Sequence, residues 1–380
     1  MTLHVFNPEH DIALAANLSN FTAPHAGRQL RHDLGFLPAL WAKEDDVVLV
    51  DDVELAEWAY QRFSNAVHRH VGSSLLRSKP VFAPWKPVVS TVQTVIVDPW
   101  GWDVALKTRL QRIGVGEPLL PTDVSLDAIR QLSHRRVSVR LLPMLQQAGT
   151  IGEAFECHNA EDVLTLIDRY DRMVLKAPWS SSGRGLRFVS RESLASSNVA
   201  GWLRNLLSVQ GSVIAEPYYN KVKDFGMEFT CTASGEVLYD GLSLFQTANG
   251  AYTGNILATE SVKQGMISRY VSADLLDDVR RNVCSRLAPL LAGNYTGPFG
   301  IDMMIVSHHE GLLLHPCVEI NMRRTMGHAA LAISPTDDDI VRVMRIETRK
   351  ASGRCPSAAG ACRWRRDHSL QVVVPPTSRR

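Results

Sequence analysis

The stretch MVLKAPWSSSGRGLRFV at 173–189 constrains this chain more than any other. It reads as an apolar strand, a loop of small residues from Ala177 to Gly185 and a second apolar strand, which together make a hairpin. Lys176 lies inside the first strand, where a lysine is costly without an anionic partner. Small residues let backbone N–H groups approach anionic oxygens, Ser180, Ser181 and Ser182 add hydroxyl donors, and Arg184 adds positive charge. Such a loop can fold over phosphates. Small-residue hairpins are also common as plain connections, so the loop alone leaves both readings open.

A second hairpin pattern, YTGPFGIDMMIVSHHEGLLLHPCVEINMRR at 295–324, carries Asp302 on its first strand and Glu319 with Asn321 on its second. The two-residue spacing puts Glu319 and Asn321 on one face. Three oxygen ligands from neighbouring strands suit Mg2+, which keeps the rest of its shell for water and substrate phosphates. A solvated sheet face is the competing reading; against it, Arg323 and Arg324 follow at once and call for an anion.

Ahead of the hairpins, LHVF near the start, VVLV at 47–50 and TVIV at 94–97 alternate with helical patterns such as Val53–Phe63. That order predicts an α/β layer on a parallel sheet. Asp51–Asp52 and Asp98–Pro99 follow two of these runs, where strand ends of open sheets meet a ligand crevice, although ordinary loop residues fit as well. The segment NPEHD at 7–11 offers Asn7, Glu9, His10 and Asp11 to a substrate pocket; alternatively, Asn7 caps a helix with Pro8 at its first position. A helix pair runs from Leu126 to a stop at Gly149, and a second domain opens near residue 131. The polar stretch SLFQTANGAYTGN at 243–255 reads as an acceptor-binding loop or a plain surface loop.

A length of 380 residues exceeds what one core usually organises and favours two or three domains. The net charge of +2 misleads, because residues 349–380 hold eight Lys or Arg against one Asp and leave the body mildly acidic. An acidic body argues against nucleic-acid binding as the main task. The six cysteines form no close pair, which fits reduced thiols in the cytoplasm better than a zinc site or a disulfide framework. No signal pattern opens the sequence, and no apolar run approaches the roughly 20 residues that span a bilayer.

Together, the two hairpins resemble the ATP-grasp superfamily, which includes biotin carboxylase and D-alanine:D-alanine ligase, from about Arg135 to Ala330. The resemblance implies an α/β chain, α+β in its ATP-grasp part. A Rossmann-like parallel-sheet domain at 1–130 would precede an ATP-grasp domain at 131–350, with a nucleotide-binding lobe about 170–230 and a metal-binding lobe about 231–345. The basic tail at 351–380 would be disordered. By the same resemblance, Arg136 and Lys176 contact phosphates, and Ser180, Ser181, Ser182, Gly183, Arg184 and Gly185 close over them. Glu216, Pro217 and Tyr218 form the adenine hinge, and Glu228 holds the ribose. Asp302, Glu319 and Asn321 bind Mg2+ or Mn2+, and Arg323 and Arg324 stand at the reacting centre. The implied activity is a cytoplasmic Mg-ATP-dependent ligase that activates a small-molecule carboxylate as an acyl phosphate and joins it to an amine or thiol acceptor, with no nucleic-acid or membrane partner. A kinase and a non-catalytic ATP-binding module use the same nucleotide site and stay open as alternatives.

Overall fold

The structure, a computed structural model, describes residues 1–72, 76, 79–86, 96–180, 185–194, 196–248, 251–350 and 366–375. Strand β1 (Thr2–Val5) leads through α1 (His10–Ala16) and α2 (His25–Asp33) to β2 (Val47–Val50). Helix α3 (Val53–His70), β3 (Val81–Pro84), β4 (Ile96–Pro99) and α4 (Val104–Arg112) follow. These strands make a parallel sheet in the order β3-β2-β1-β4. Leu3, Val5, Val48 and Val50 are buried, as the continuous apolar runs of a parallel sheet demand. Of the run at 94–97, residues 94 and 95 lie outside the described residues, and Ile96 and Val97 begin β4. Asp52 faces no crevice: it caps α3 by accepting the Leu55 N–H at 3.0 Å, as Asp103 caps α4 from Leu106 at 2.8 Å.

Helices α5 (Asp123–Leu132) and α6 (Arg136–Leu145) join this layer to a second, antiparallel one. It comprises β5 (Phe155–Cys157), α7 (Ala160–Tyr170), β6 (Arg172–Lys176), β7 (Leu186–Ser190), the short α8 (Arg191–Leu194), α9 (Ser197–Gln210) and β8 (Val213–Pro217). The strand order is β5-β8-β6-β7. Met173 and Leu175 pack with Val163, Ile167, Leu203 and Leu206 from α7 and α9. Period two then turns Lys176 and, on the antiparallel β8, Glu216 to the opposite face.

Next come β9 (Lys221–Cys231), β10 (Val237–Ser243), β11 (Phe245–Ala248), β12 (Ala251–Leu257), α10 (Glu260–Ile267) and α11 (Ala273–Leu291). The chain continues through β13 (Gly297–His308), β14 (Gly311–Asn321), α12 (Met326–Ala332), β15 (Arg342–Lys350) and β16 (Arg366–Val373). One antiparallel sheet has the order β10-β9-β13-β14, and another β11-β12-β15-β16. The first packs Phe229, Phe299 and Ile301 against α11 and against Leu141, Leu142 and Leu145 of α6.

Two expectations are corrected here. The stretch at 243–255 is mostly strand, because β12 pairs with both β11 and β15; residues 249 and 250 lie outside the described ones. The tail is not disordered throughout: β16 pairs with β15 along its length, and Leu370 and Val372 enter the core of the N-terminal layer beside Phe63 and Val67. Composition between the two strands hid this, since residues 351–365 dominate the tail and lie outside the described residues. The alternation in SLQVVV, where Leu370 and Val372 turn inward, is the signal that was present.

Candidate active site

The polar faces of the two antiparallel lobes meet around Lys176. Its Nζ lies 2.6 Å from Glu216 Oε1 and donates to the Val318 carbonyl at 3.4 Å, so it touches both lobes. Burial raises the Glu216 carboxyl above its ordinary value while the Lys176 charge opposes that rise. At the base of the small-residue loop, the Ala177 N–H donates to Gly185 O at 2.8 Å. A side chain at Gly185 would collide with Ser180 Oγ, so glycine closes the loop there. Ser181, Ser182, Gly183 and Arg184 lie outside the described residues.

The expectation for Arg136 is corrected, because successive residues entering a helix point roughly 100° apart and its neighbour faces the loop. Arg135 donates through Nη1 to Ala177 O and, at 2.7 Å, to Ser180 Oγ. Its Nη2 donates to Glu319 Oε1 at 2.6 Å. Arg136 instead lies 3.2 Å from Glu156 Oε1 and beside His134 Nε2. Burial, together with the surrounding arginines, lowers His134 to about 3, so its ring is a neutral acceptor.

Asp302 and Glu319 are direct cross-strand partners on β13 and β14, and Asn321 pairs with Gly300 two residues along. Burial, reinforced by Glu319, raises the Asp302 carboxyl to about 7. Two carboxylates that resist joint ionisation are a donor set that a divalent cation relieves, so the residues fit Mg2+. Among the described residues no three His, Cys, Asp or Glu side chains form a cage by themselves. Two carboxylates and an amide leave coordination places for water and phosphate.

Glu228 is placed differently from the expectation. It stands seven residues along β9 from Lys221, a rise of roughly 23 Å, and its carboxyl fits between Gly300 and Gly327, 3.1 Å from His328 Nδ1. Burial, with Asp302 nearby, raises it to about 8. Asp224, a carboxylate that the sequence reading passed over, lies on the same face of β9 four residues nearer the start of the strand, where it accepts from Thr247 Oγ1 at 3.1 Å. At the hinge, the Tyr218 N–H donates to Arg172 O at 2.9 Å, and the Arg172 guanidinium covers the Tyr218 ring at 4.0 Å. A cavity of about 820 Å3 opens beside Pro217, Tyr218, Tyr219 and Asn220, bounded by Gly152 and Ser307. Lys176, Asp302 and Glu319 do not line it, so it flanks the hinge and not the charged cluster.

Arg323 and Arg324 meet carboxylates of the N-terminal layer. Arg323 Nε donates to Asp11 Oδ1 at 3.0 Å and Nη2 to Asp11 Oδ2 at 2.8 Å, while Nη2 also reaches Asn321 Oδ1 at 3.0 Å. Burial works to raise the Asp11 carboxyl, but Arg323 outweighs it and holds Asp11 below its usual range. Arg324 does not join Arg323: its Nη2 donates to Asp98 Oδ2 at 2.8 Å, its N–H to Trp100 O at 2.8 Å, and its guanidinium lies over Trp41. A strand alternates its side chains, which separates these neighbours. Asn7 caps no helix. Its amide donates to Gly101 O at 2.8 Å and Asp103 Oδ2 at 3.1 Å, tying the end of β1 to the loop after β4. Glu9 pairs with Arg31, and Arg31 and Arg109 both donate to Asp51 at 3.0 Å.

A parallel-sheet layer followed by two antiparallel lobes facing each other across a lysine, a glycine-closed loop and a carboxylate pair is the architecture of ATP-grasp proteins, and the chain has that fold. Among solved structures, pyruvate carboxylase T882A from Rhizobium etli with acetyl coenzyme-A matches 98% of this chain at a TM-score of 0.50 and 12% identity, over 35% of its own length. N5-carboxyaminoimidazole synthetase from Staphylococcus aureus complexed with ADP matches 90% of the chain and 81% of its own, with a TM-score of 0.46 and 12% identity. Biotin carboxylase from Campylobacter jejuni matches 98% and 86%, with a TM-score of 0.48 and 10% identity. At these identities the likeness is one of fold. No family of known proteins and no curated protein matches the chain by sequence.

Proposed function

We propose that this chain is a Mg-ATP-dependent ligase that activates a small-molecule carboxylate as an acyl phosphate and joins it to an amine or thiol acceptor. The observation that supports it most is the convergence of Arg135, Lys176 and Ser180 from one side with Asp302, Glu319 and Asn321 from the other. Cations and hydroxyls there meet a triphosphate, and Asp302, Glu319 and Asn321 would hold Mg2+, which when bound neutralises charge on the transferred phosphoryl group. Lys176 and Arg135 take the phosphates, and the chain at Glu216, Pro217 and Tyr218 takes the base. Asp224 is better placed than Glu228 for the ribose. In the reaction, a carboxylate oxygen forms a bond to the γ-phosphorus as the bond to ADP breaks. The acceptor then attacks the carbonyl carbon, loses its proton to solvent and expels phosphate. Catalysis is positioning and electrostatics, with Arg323 at the reacting centre.

The four cysteines described, Cys157, Cys231, Cys284 and Cys317, are free, which supports a cytoplasmic setting. Among the described residues no helix is long and apolar enough to cross a membrane. The test is thermal denaturation with Mg-ATP against ATP plus a chelator, since binding to the native state alone raises its melting temperature. A large shift with Mg-ATP and a small one without metal is expected, followed by ADP release in a screen of carboxylates with amines or thiols. Equal shifts in the two conditions would remove the metal assignment, and a stable phosphorylated product with no ligation would make the chain a kinase.

A further inference from the structure

The NPEHD segment has no place in the nucleotide site proposed above, yet its last residue pairs with Arg323 just past the end of β14. Asp11 lies 312 positions from Arg323 in sequence and takes two of its donors, Nε at 3.0 Å and Nη2 at 2.8 Å. The remaining donors are counted readily, because a guanidinium carries five N–H bonds in one plane. Nη2 gives its second hydrogen to Asn321 Oδ1 at 3.0 Å, and Nη1 gives one to Arg324 O at 3.1 Å. Three anchors therefore fix the plane, two from Arg323's own segment and Asp11 alone from a distant one, and one Nη1 hydrogen is left over. The edge formed by Nε and Nη2, which binds carboxylates as a fork, is already filled by Asp11.

The carboxylate that fills it is itself held rigidly. Helix α1 begins at His10, whose ring is fully buried against Gly101; a side chain at Gly101 would approach His10 Cδ2 to 2.6 Å, so only glycine fits. Asn7 closes the same junction by donating to Gly101 O and Asp103 Oδ2. Asn7, His10 and Gly101 thus pack the start of the helix that carries Asp11, whose partner is the arginine beside Asn321.

Resting on the ligase reading, we propose that Asp11 is a positioning residue for catalysis: it orients the Arg323 guanidinium so that a single Nη1–H, and not a forked pair, faces the reacting centre. One directed donor suits an oxygen that gains charge as the reaction proceeds, while a substrate carboxylate finds its fork elsewhere. Asp11 thereby makes catalysis depend on the N-terminal layer being docked.

The test has two arms in the full-length chain. In the first, arginines are labelled with 15N at Nε, and the Arg323 cross-peak is assigned by its loss in Arg323→Lys. Its Nε–H is expected to exchange slowly in the wild type and to lose that protection in Asp11→Ala, with Asp11→Asn intermediate because an amide oxygen still accepts. In the second arm, ADP release from Mg-ATP, with water as the probe acceptor, is followed in Asp11→Ala, Arg323→Ala and the double variant. Loss of an outer partner of this kind typically costs about 10–100-fold; turnover is expected to fall by that much, with the KM for ATP changed less than about threefold. The double variant should match Arg323→Ala, since Asp11 acts only through that arginine. An Arg323 cross-peak that stays protected in Asp11→Ala overturns the proposal, as do effects that multiply in the double variant. A wild-type chain that binds no Mg-ATP defeats the ligase reading instead, and the cross-peak still decides whether Asp11 orients Arg323.

Discussion

Substituting Arg135 and Arg136 separately tests the site where the structure departs most from what the sequence suggests. Arg135 is buried and spans Ala177 O, Ser180 Oγ and Glu319. Arg136 is partly exposed and faces Glu156. A hydrogen bond to a charged group contributes about 1.5–3 kcal/mol. Arg135→Ala should therefore weaken Mg-ATP binding by about 10–150-fold, at 1.4 kcal/mol per factor of ten. Arg136→Ala loses a partly exposed ion pair, a change of about 1 kcal/mol or less in stability, and should leave nucleotide affinity within about twofold. Titration calorimetry of both variants with Mg-ATP, after circular dichroism has shown each to be folded, reads the contrast directly. A tenfold loss in Arg136→Ala with little change in Arg135→Ala would refute this assignment of the two side chains and restore the one drawn from sequence.

Three further outcomes follow from the same geometry. Lys176→Met should destabilise the chain by about 3–5 kcal/mol, because it strands the buried Glu216; Lys176→Met with Glu216→Gln should recover stability without nucleotide affinity, and full affinity in that pair would remove Lys176 from the site. Leu370→Ala should cost about 2–5 kcal/mol as a core truncation, whereas exposed Val374→Ala should stay within about 0.5 kcal/mol in urea titrations; equal effects would mean that β16 does not dock. The Asp33 carboxyl, which burial alone would raise, is held at about 2 by hydrogen bonds from His32, His368 and Gln29. A carboxyl depressed in the folded state adds stability above its unfolded value near 4, here about 2 kcal/mol, and that stability disappears as pH falls from about 4 to 2. Asp33→Asn should flatten that part of the pH dependence, and a variant that loses stability in parallel with the wild type would contradict it.

The hairpin with its buried lysine and the strands carrying Asp302, Glu319 and Asn321 were legible in the sequence because they depend on local rules. Period two decides which residues share a face, small residues mark a loop that approaches ligands, and a charge inside an apolar strand announces a partner. The parallel layer at the start was legible from its alternation of apolar runs and helical stretches. Those rules say nothing about the angle at which α6 leaves its preceding turn, so they could not choose Arg135 over Arg136. Nor could they see that Asp11 and Asp98 of the first hundred residues would receive Arg323 and Arg324, or that SLQVVV would complete a sheet against α3. Such contacts join segments hundreds of residues apart, and only the packing of layers brings them within hydrogen-bond reach. The sequence by itself determined which strands carry Lys176, Asp302, Glu319 and Asn321 and which of these share a face; the tertiary structure decided which of two adjacent arginines points where, and which carboxylate each of them meets.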